Sequence, residues 1–192
     1  MSLDIVILGP PGAGKGTQAA KMSAELGIPH IATGDIIRAE IKAGTPFGLK
    51  VKSFNDRGEL VPDAVIIERV CERLEEEDAA GGFVLDGFPR TLAQAEALDR
   101  MLSHLDRELS VVFHFRLPEE LAEQRLFKRA RELGRPDDTP ELIHHRMEVQ
   151  RVPEELAEYY RVKGILVGIH ADRSIDEVHA EVENVLETVA AR

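Results

Sequence analysis

Tryptophan is absent from this 192-residue sequence, aromatic residues make up only 5% of it, and there is a single cysteine. With Cys71 alone, neither an internal disulfide nor a four-cysteine zinc site can form, which fits a reducing compartment. Cys71 also falls on the apolar stripe Ile66, Ile67, Val70 and Leu74, the pattern of a packed core thiol rather than a reactive one. No apolar run approaches the length of a membrane span, and nothing like a signal peptide stands ahead of the first strand. A cytoplasmic location without membrane contact is therefore expected. Lysine is scarce, with 7 against 17 arginines in a chain of net charge −11. That balance argues against a nucleic acid polymer or an anionic membrane as partner. Arginine presents a planar fork for bidentate phosphate contacts, so an acidic chain with placed arginines suits small phosphorylated ligands.

What is present is an alternation of short apolar strands with longer helical patterns. It predicts one α/β domain on a mainly parallel sheet, long enough to bury a sizeable core. Strands are expected near Asp4–Leu8, Pro29–Ala32, Gly82–Asp86, Val111–Leu117 and Ile165–His170. Helix starts are marked by a capping box over Ser174–Glu177 and by Thr139-Pro140-Glu141, which offers a cap, a first-turn proline and an acid against the dipole. Two regions lack a sheet partner and read as insertions. One spans residues 32–61, with short helices around Ile36–Lys42 and Phe47–Asp56; the other is the polar turn Arg129–Asp138.

The strongest motif is Gly9-Pro10-Pro11-Gly12-Ala13-Gly14-Lys15-Gly16-Thr17, directly after the apolar run Ile5–Leu8. A strand that breaks into glycines and reaches a lysine is a phosphate-binding loop. Glycines let backbone N–H groups turn toward an anion, and the next helix points its positive end at the same place. Lys15 would neutralise phosphate oxygens, and Thr17 would stand near Mg²⁺. A second signal is Phe83-Val84-Leu85-Asp86-Gly87-Phe88-Pro89-Arg90. Its strand ends in a carboxylate at the sheet's carboxyl edge, where Asp86 could hold a Mg²⁺ water or simply cap a turn.

Other positions admit two readings. Thr91-Leu92-Ala93-Gln94 fits a capping box, and Thr33 fits an ordinary helix cap. An amide such as Gln94 also offers a donor and an acceptor side by side. Arg125 and Arg129 are one helical turn apart and share a face. Taken singly, they and Arg135 and Arg146 could each be solvated surface residues. His144 and His145 are adjacent on a helix and face different ways, so no metal-ligand pair is implied.

Taken together, the loop variant with Gly16 after Lys15, the Asp86-Gly87-Phe88-Pro89-Arg90 run and the arginine spacings resemble the nucleoside monophosphate kinases. Adenylate kinases of the short-lid form are the nearest match, over essentially the whole chain. The resemblance implies a P-loop NTPase-like fold, a five-stranded parallel sheet flanked by helices, with two small mobile insertions. These are an AMP-binding arm over 32–61 and a short lid over 128–138. It implies Mg²⁺-dependent phosphoryl transfer from ATP to AMP by a monomer. ATP would lie against Gly12, Ala13, Gly14, Lys15, Gly16, Thr17, Arg125 and Arg129, with the backbone at Arg173 near its base. AMP would lie against Thr33, Arg38, Glu59, Leu60, Val61, Gly87, Phe88, Pro89, Arg90 and Gln94. Arg135 and Arg146 would close on the phosphates. UMP-CMP kinases typically carry Ala at the position of Thr33 and Asn at that of Gln94, so AMP is the expected acceptor. A regulatory GTPase would need an Asn-Lys-x-Asp motif, which the sequence lacks.

Overall fold

Period-two alternation along the strands sorts the apolar residues onto two faces of one sheet, and each face recruits its own helices. The computed structural model describes residues 2–133 and 139–190. Five strands, β1 (Leu3–Leu8), β2 (His30–Ala32), β3 (Gly82–Asp86), β4 (Val111–Arg116) and β5 (Leu166–His170), pair in parallel in the order β2-β3-β1-β4-β5. This is the expected fold class, with strand ends within two residues of the sequence reading.

One face carries Val6, Leu8, Leu85 and Val112. It is covered by α4 (Asp63–Leu74), α5 (Leu92–His104) and α8 (Glu154–Val162), through side chains such as Val70, Leu98 and Tyr160. The other face carries Ile5, Ile7, Val84 and Phe113, covered by α1 (Lys15–Leu26) and α9 (Ile175–Ala190) through Met22, Val178 and Val182. Fully burying one such side chain contributes about 1.5–3 kcal/mol. Polar links also tie the layers. Asp4, 0% exposed, receives the Arg107 guanidinium, and buried His179 on α9 meets Gln18 and Glu25 of α1 at 2.9 and 2.8 Å.

Outside the sheet stand the two regions read as insertions. Helices α2 (Thr33–Ala43) and α3 (Pro46–Arg57) form an arm packed as a pair, each longer than expected. Helices α6 (Glu119–Leu133) and α7 (Pro140–Val149) share a small core of Ala122, Leu126, Ile143 and Met147. Of the polar turn expected over Arg129–Asp138, the first half is helical instead, because α6 runs on to Leu133, and the rest lies outside the described residues. A single-turn 3-10 helix, Glu77–Ala79, precedes β3. Cys71 is half-buried against the first core, and burial together with the Glu75 carboxylate pushes its thiol up, as a packed thiol requires. No described helix is long and apolar enough to cross a membrane.

Candidate active site

The parallel sheet brings the carboxyl ends of β1, β2 and β3 to one edge, where open α/β sheets bind ligands. A cavity of about 600 Å³ opens there, between that edge, the arm and helices α6 and α7.

The loop after β1 supplies its floor. Gly14 caps α1 in the left-handed conformation, and α1 carries no acid in its first turn. Its unpaired first N–H groups and positive dipole end are therefore left to an anion. Gly12 has φ of +83°, and a Cβ there would meet the Ala122 carbonyl at 2.7 Å, so the loop can pass under α6 only as glycine. Lys15 Nζ donates to the Pro10 carbonyl at 2.9 Å. Burial pushes its ammonium down to about 8; Asp86 opposes that shift, and Arg90 and Arg129 add to it. Gly12, Gly14, Lys15, Gly16 and Thr17 all line the cavity. Ala13 instead packs its methyl into the core beneath.

Asp86 ends β3 beside the start of α1. A Cβ placed on Gly16 would stand 3.6 Å from its Oδ2. Burial raises the Asp86 carboxyl, but facing His30 and the cations Lys15 and Arg90 outweigh this and hold it below the usual carboxylate range. His30 Nε2 stands 3.9 Å away, beyond hydrogen-bond length. Sequence reasoning did not pick out His30, because an imidazole opening a short strand looks like any other half-buried polar residue.

Gly87, with φ of +86°, turns the chain so that Arg90 Nε can donate to its carbonyl at 3.1 Å. A Cβ on Gly87 would press to 2.5 Å from Thr33 Oγ1. Burial lowers Arg90, and nearby Arg146 lowers it further while Asp86 opposes both. Phe88 does not face the cavity; it is 1% exposed in the core. Pro89, joined to it by a cis peptide, lies against a smaller adjoining recess.

The arm contributes Thr33, Arg38, Glu59, Leu60 and Val61 to the lining. Thr33 is not the cap of α2. Ala32 takes that place, and the Thr33 hydroxyl donates instead to the Asp86 carbonyl at 3.3 Å. Arg38 pairs with Asp35, and the Glu59 carboxylate with Arg57.

The start of α5 is capped as the first reading expects, and Gln94 there is 2% exposed. Its N–H is capped by Thr91 Oγ1 at 3.2 Å, while its side-chain oxygen accepts from the Arg90 N–H at 2.7 Å. Its amide also lines the cavity, held by Asp63, which donates no signal in the sequence beyond an acid in a first helical turn.

From α6, Arg125 and Arg129 face the cavity together, as their spacing requires, and Arg146 joins them from α7. Arg125 donates to the carbonyls of Ala171 and Arg173 at 2.8 and 3.4 Å. The Arg173 side chain turns away to Glu181. Arg135 lies outside the described residues. His144 bonds Glu123 while His145 lies against Gly58, so the two do diverge.

The geometry is thus a two-sided anion site, with a lysine loop on one flank and a guanidinium set on the other. Comparison with known proteins adds a family to that chemistry. A family model described as adenylate kinase matches residues 7–165. A protein named adenylate kinase from Archaeoglobus fulgidus is 41% identical, over 97% of this chain and 99% of its own. Namesakes from Methylobacterium nodulans and Thermobifida fusca are 46% and 48% identical, over 95% and 91% of this chain and 95% and 93% of theirs.

Proposed function

Because this chain belongs to the adenylate kinase family, phosphotransferases that act between nucleotides, we propose that it moves the terminal phosphoryl group of ATP to AMP, with Mg²⁺, giving two ADP. The observation that carries this is the convergence of Lys15, Asp86 and Arg90 on one cavity that Thr33 and Gln94 also line. Phosphoryl transfer needs little covalent help, so alignment and charge neutralisation are the protein's tasks.

The loop and Lys15 hold the ATP phosphates against the start of α1. Arg38 and Arg90 hold the AMP phosphate, and Gln94 and Thr33 read its base beside Glu59, Leu60 and Val61. Arg125, fixed by the Ala171 carbonyl, presents its guanidinium plane to the ATP base. Arg129, Arg146 and Arg135 neutralise charge on the group in transfer. Asp86, kept ionised beside the loop, fits a hard cation held through water, with Thr17 nearby. Bound Mg²⁺ would neutralise charge between the outer phosphates. Closure of the arm and of the 128–138 lid excludes water, which would otherwise take the phosphoryl group. A cytoplasmic monomer without structural zinc completes the reading.

The test measures ADP formation from Mg-ATP with AMP, UMP, CMP and GMP offered separately, in the native enzyme and in Lys15→Met. AMP should be used far faster than the others, and Lys15→Met should lose on the order of 10³-fold in kcat with unchanged thermal unfolding. Equal use of CMP would overturn the choice of AMP. More than about a tenth of the activity left in a folded Lys15→Met would overturn the role given to the lysine.

A further inference from the structure

An amide side chain has two nearly isosteric orientations, and only its partners decide which way it points. The Gln94 amide is held at both ends. Its Oε1 accepts from the Arg90 backbone N–H at 2.7 Å, a group that can only donate. Its Nε2 donates to Asp63 Oδ1 at 2.7 Å, a carboxylate that can only accept. The other carboxylate oxygen, Oδ2, accepts from Thr91 Oγ1 at 2.9 Å, and that hydroxyl in turn caps the Gln94 N–H at 3.2 Å. Asp63 is the first residue of α4 and Thr91 caps α5, so the carboxylate sits where two helices begin. Turning the amide over would set an N–H against an N–H at one end and an oxygen against a carboxylate at the other.

One amide N–H and one lone pair of Oε1 remain for a ligand. In this orientation they match a base edge that pairs an exocyclic amino group with a ring-nitrogen acceptor. They oppose an edge that pairs an oxo group with a ring N–H. We infer that Asp63 is a positioning residue that locks the Gln94 amide and thereby makes the acceptor site select 6-amino over 6-oxo purine monophosphates.

The inference rests on the reading of Gln94 as a base contact. Asp63 touches no phosphate ligand named above, so its effect belongs to base choice and not to phosphate binding. Inosine monophosphate is the cleanest probe, since it differs from AMP only by the oxo group and the ring N–H that accompanies it.

The experiment measures kcat/KM for AMP and for inosine monophosphate, with melting temperature, in the native enzyme, Asp63→Ala, Asp63→Asn, Thr91→Ala and Gln94→Ala. Asp63→Ala should lower the AMP preference about tenfold, the worth of one buried hydrogen bond to a charged group. Asp63→Asn, whose oxygen still accepts from Nε2, should restore most of it. Thr91→Ala removes the helix cap but leaves the Asp63–Gln94 bond, so it should melt lower with the preference kept. If Asp63→Ala does not fold, Asp63→Ser, which suits a helix start but is too short to reach the amide, takes its place with the same expectation. A preference that falls in Gln94→Ala but not in the Asp63 variants overturns the lock while sparing the base contact. A preference unchanged even in Gln94→Ala overturns both.

Discussion

Lys15 is asked to carry a charge where burial penalises charge, and this makes its proton the most exposed weakness of the site. With its ammonium pushed down to about 8, the empty enzyme loses the cation as pH rises through that value. In the role proposed for Lys15 the protonated form meets the phosphates, so kcat/KM for Mg-ATP, which reports the free enzyme, should fall above about pH 8. Lys15→Arg keeps its charge throughout that range and should lose this limb, whatever its absolute rate. A native profile flat to about pH 9.5 would mean that the ammonium is not the group that meets the phosphate. Residues of this kind were legible in the sequence because their signal is contiguous: Lys15 inside its loop, Asp86 and Arg90 inside one strand-and-turn run. Asp63 was not. Its partner lies 31 residues away, and an acid after Pro62 at the start of α4 looks like ordinary helix capping until the fold brings Gln94 to it.

Helix ends and strands were readable because their causes are local. Thr139 caps α7 through the Leu142 N–H, and Ser174 and Glu177 exchange both bonds of a capping box at the start of α9. Thr33 escaped the same logic because β2 runs straight into α2 without a connecting residue, and the end of β3 offers its hydroxyl a carbonyl. The arm offers a test of how independent an element is. Its second helix, α3, is capped by Thr45, which accepts from the Gly48 N–H at 3.0 Å and donates to Glu40 of α2. Thr45→Ala should destabilise the arm by about 1 kcal/mol, which speeds amide exchange in α2 and α3 about fivefold. The sheet, whose core the arm touches mainly through Val51 and a few half-buried side chains, should exchange as before. Equal acceleration in β1 and β3 would show that arm and sheet open as one unit.

At the scale of the molecule, charge and its placement point in opposite directions. The chain carries a net charge of −11, and both substrates are anions, so the protein as a whole repels what it must bind. The cavity reverses that sign locally. Among its described lining residues the cations are Lys15, Arg38, Arg90, Arg125, Arg129 and Arg146, and the acids are Asp35, Glu59 and Asp86. Which field governs capture depends on distance. At physiological ionic strength charges more than about 8 Å away are largely screened, so surface acids remote from the cavity count for little. The cations lining it act at contact range between low-dielectric walls that focus their field. Raising salt therefore weakens attraction more than it relieves repulsion. The prediction is that kcat/KM for AMP falls as potassium chloride is raised from about 0.02 to 0.5 M, the sign expected of a focused positive site. If net charge governed capture, the same titration would raise kcat/KM as the repulsion was screened. The direction of that slope separates the two, and an upward slope would mean that the arginine cluster is already neutralised by its own carboxylates before substrate arrives.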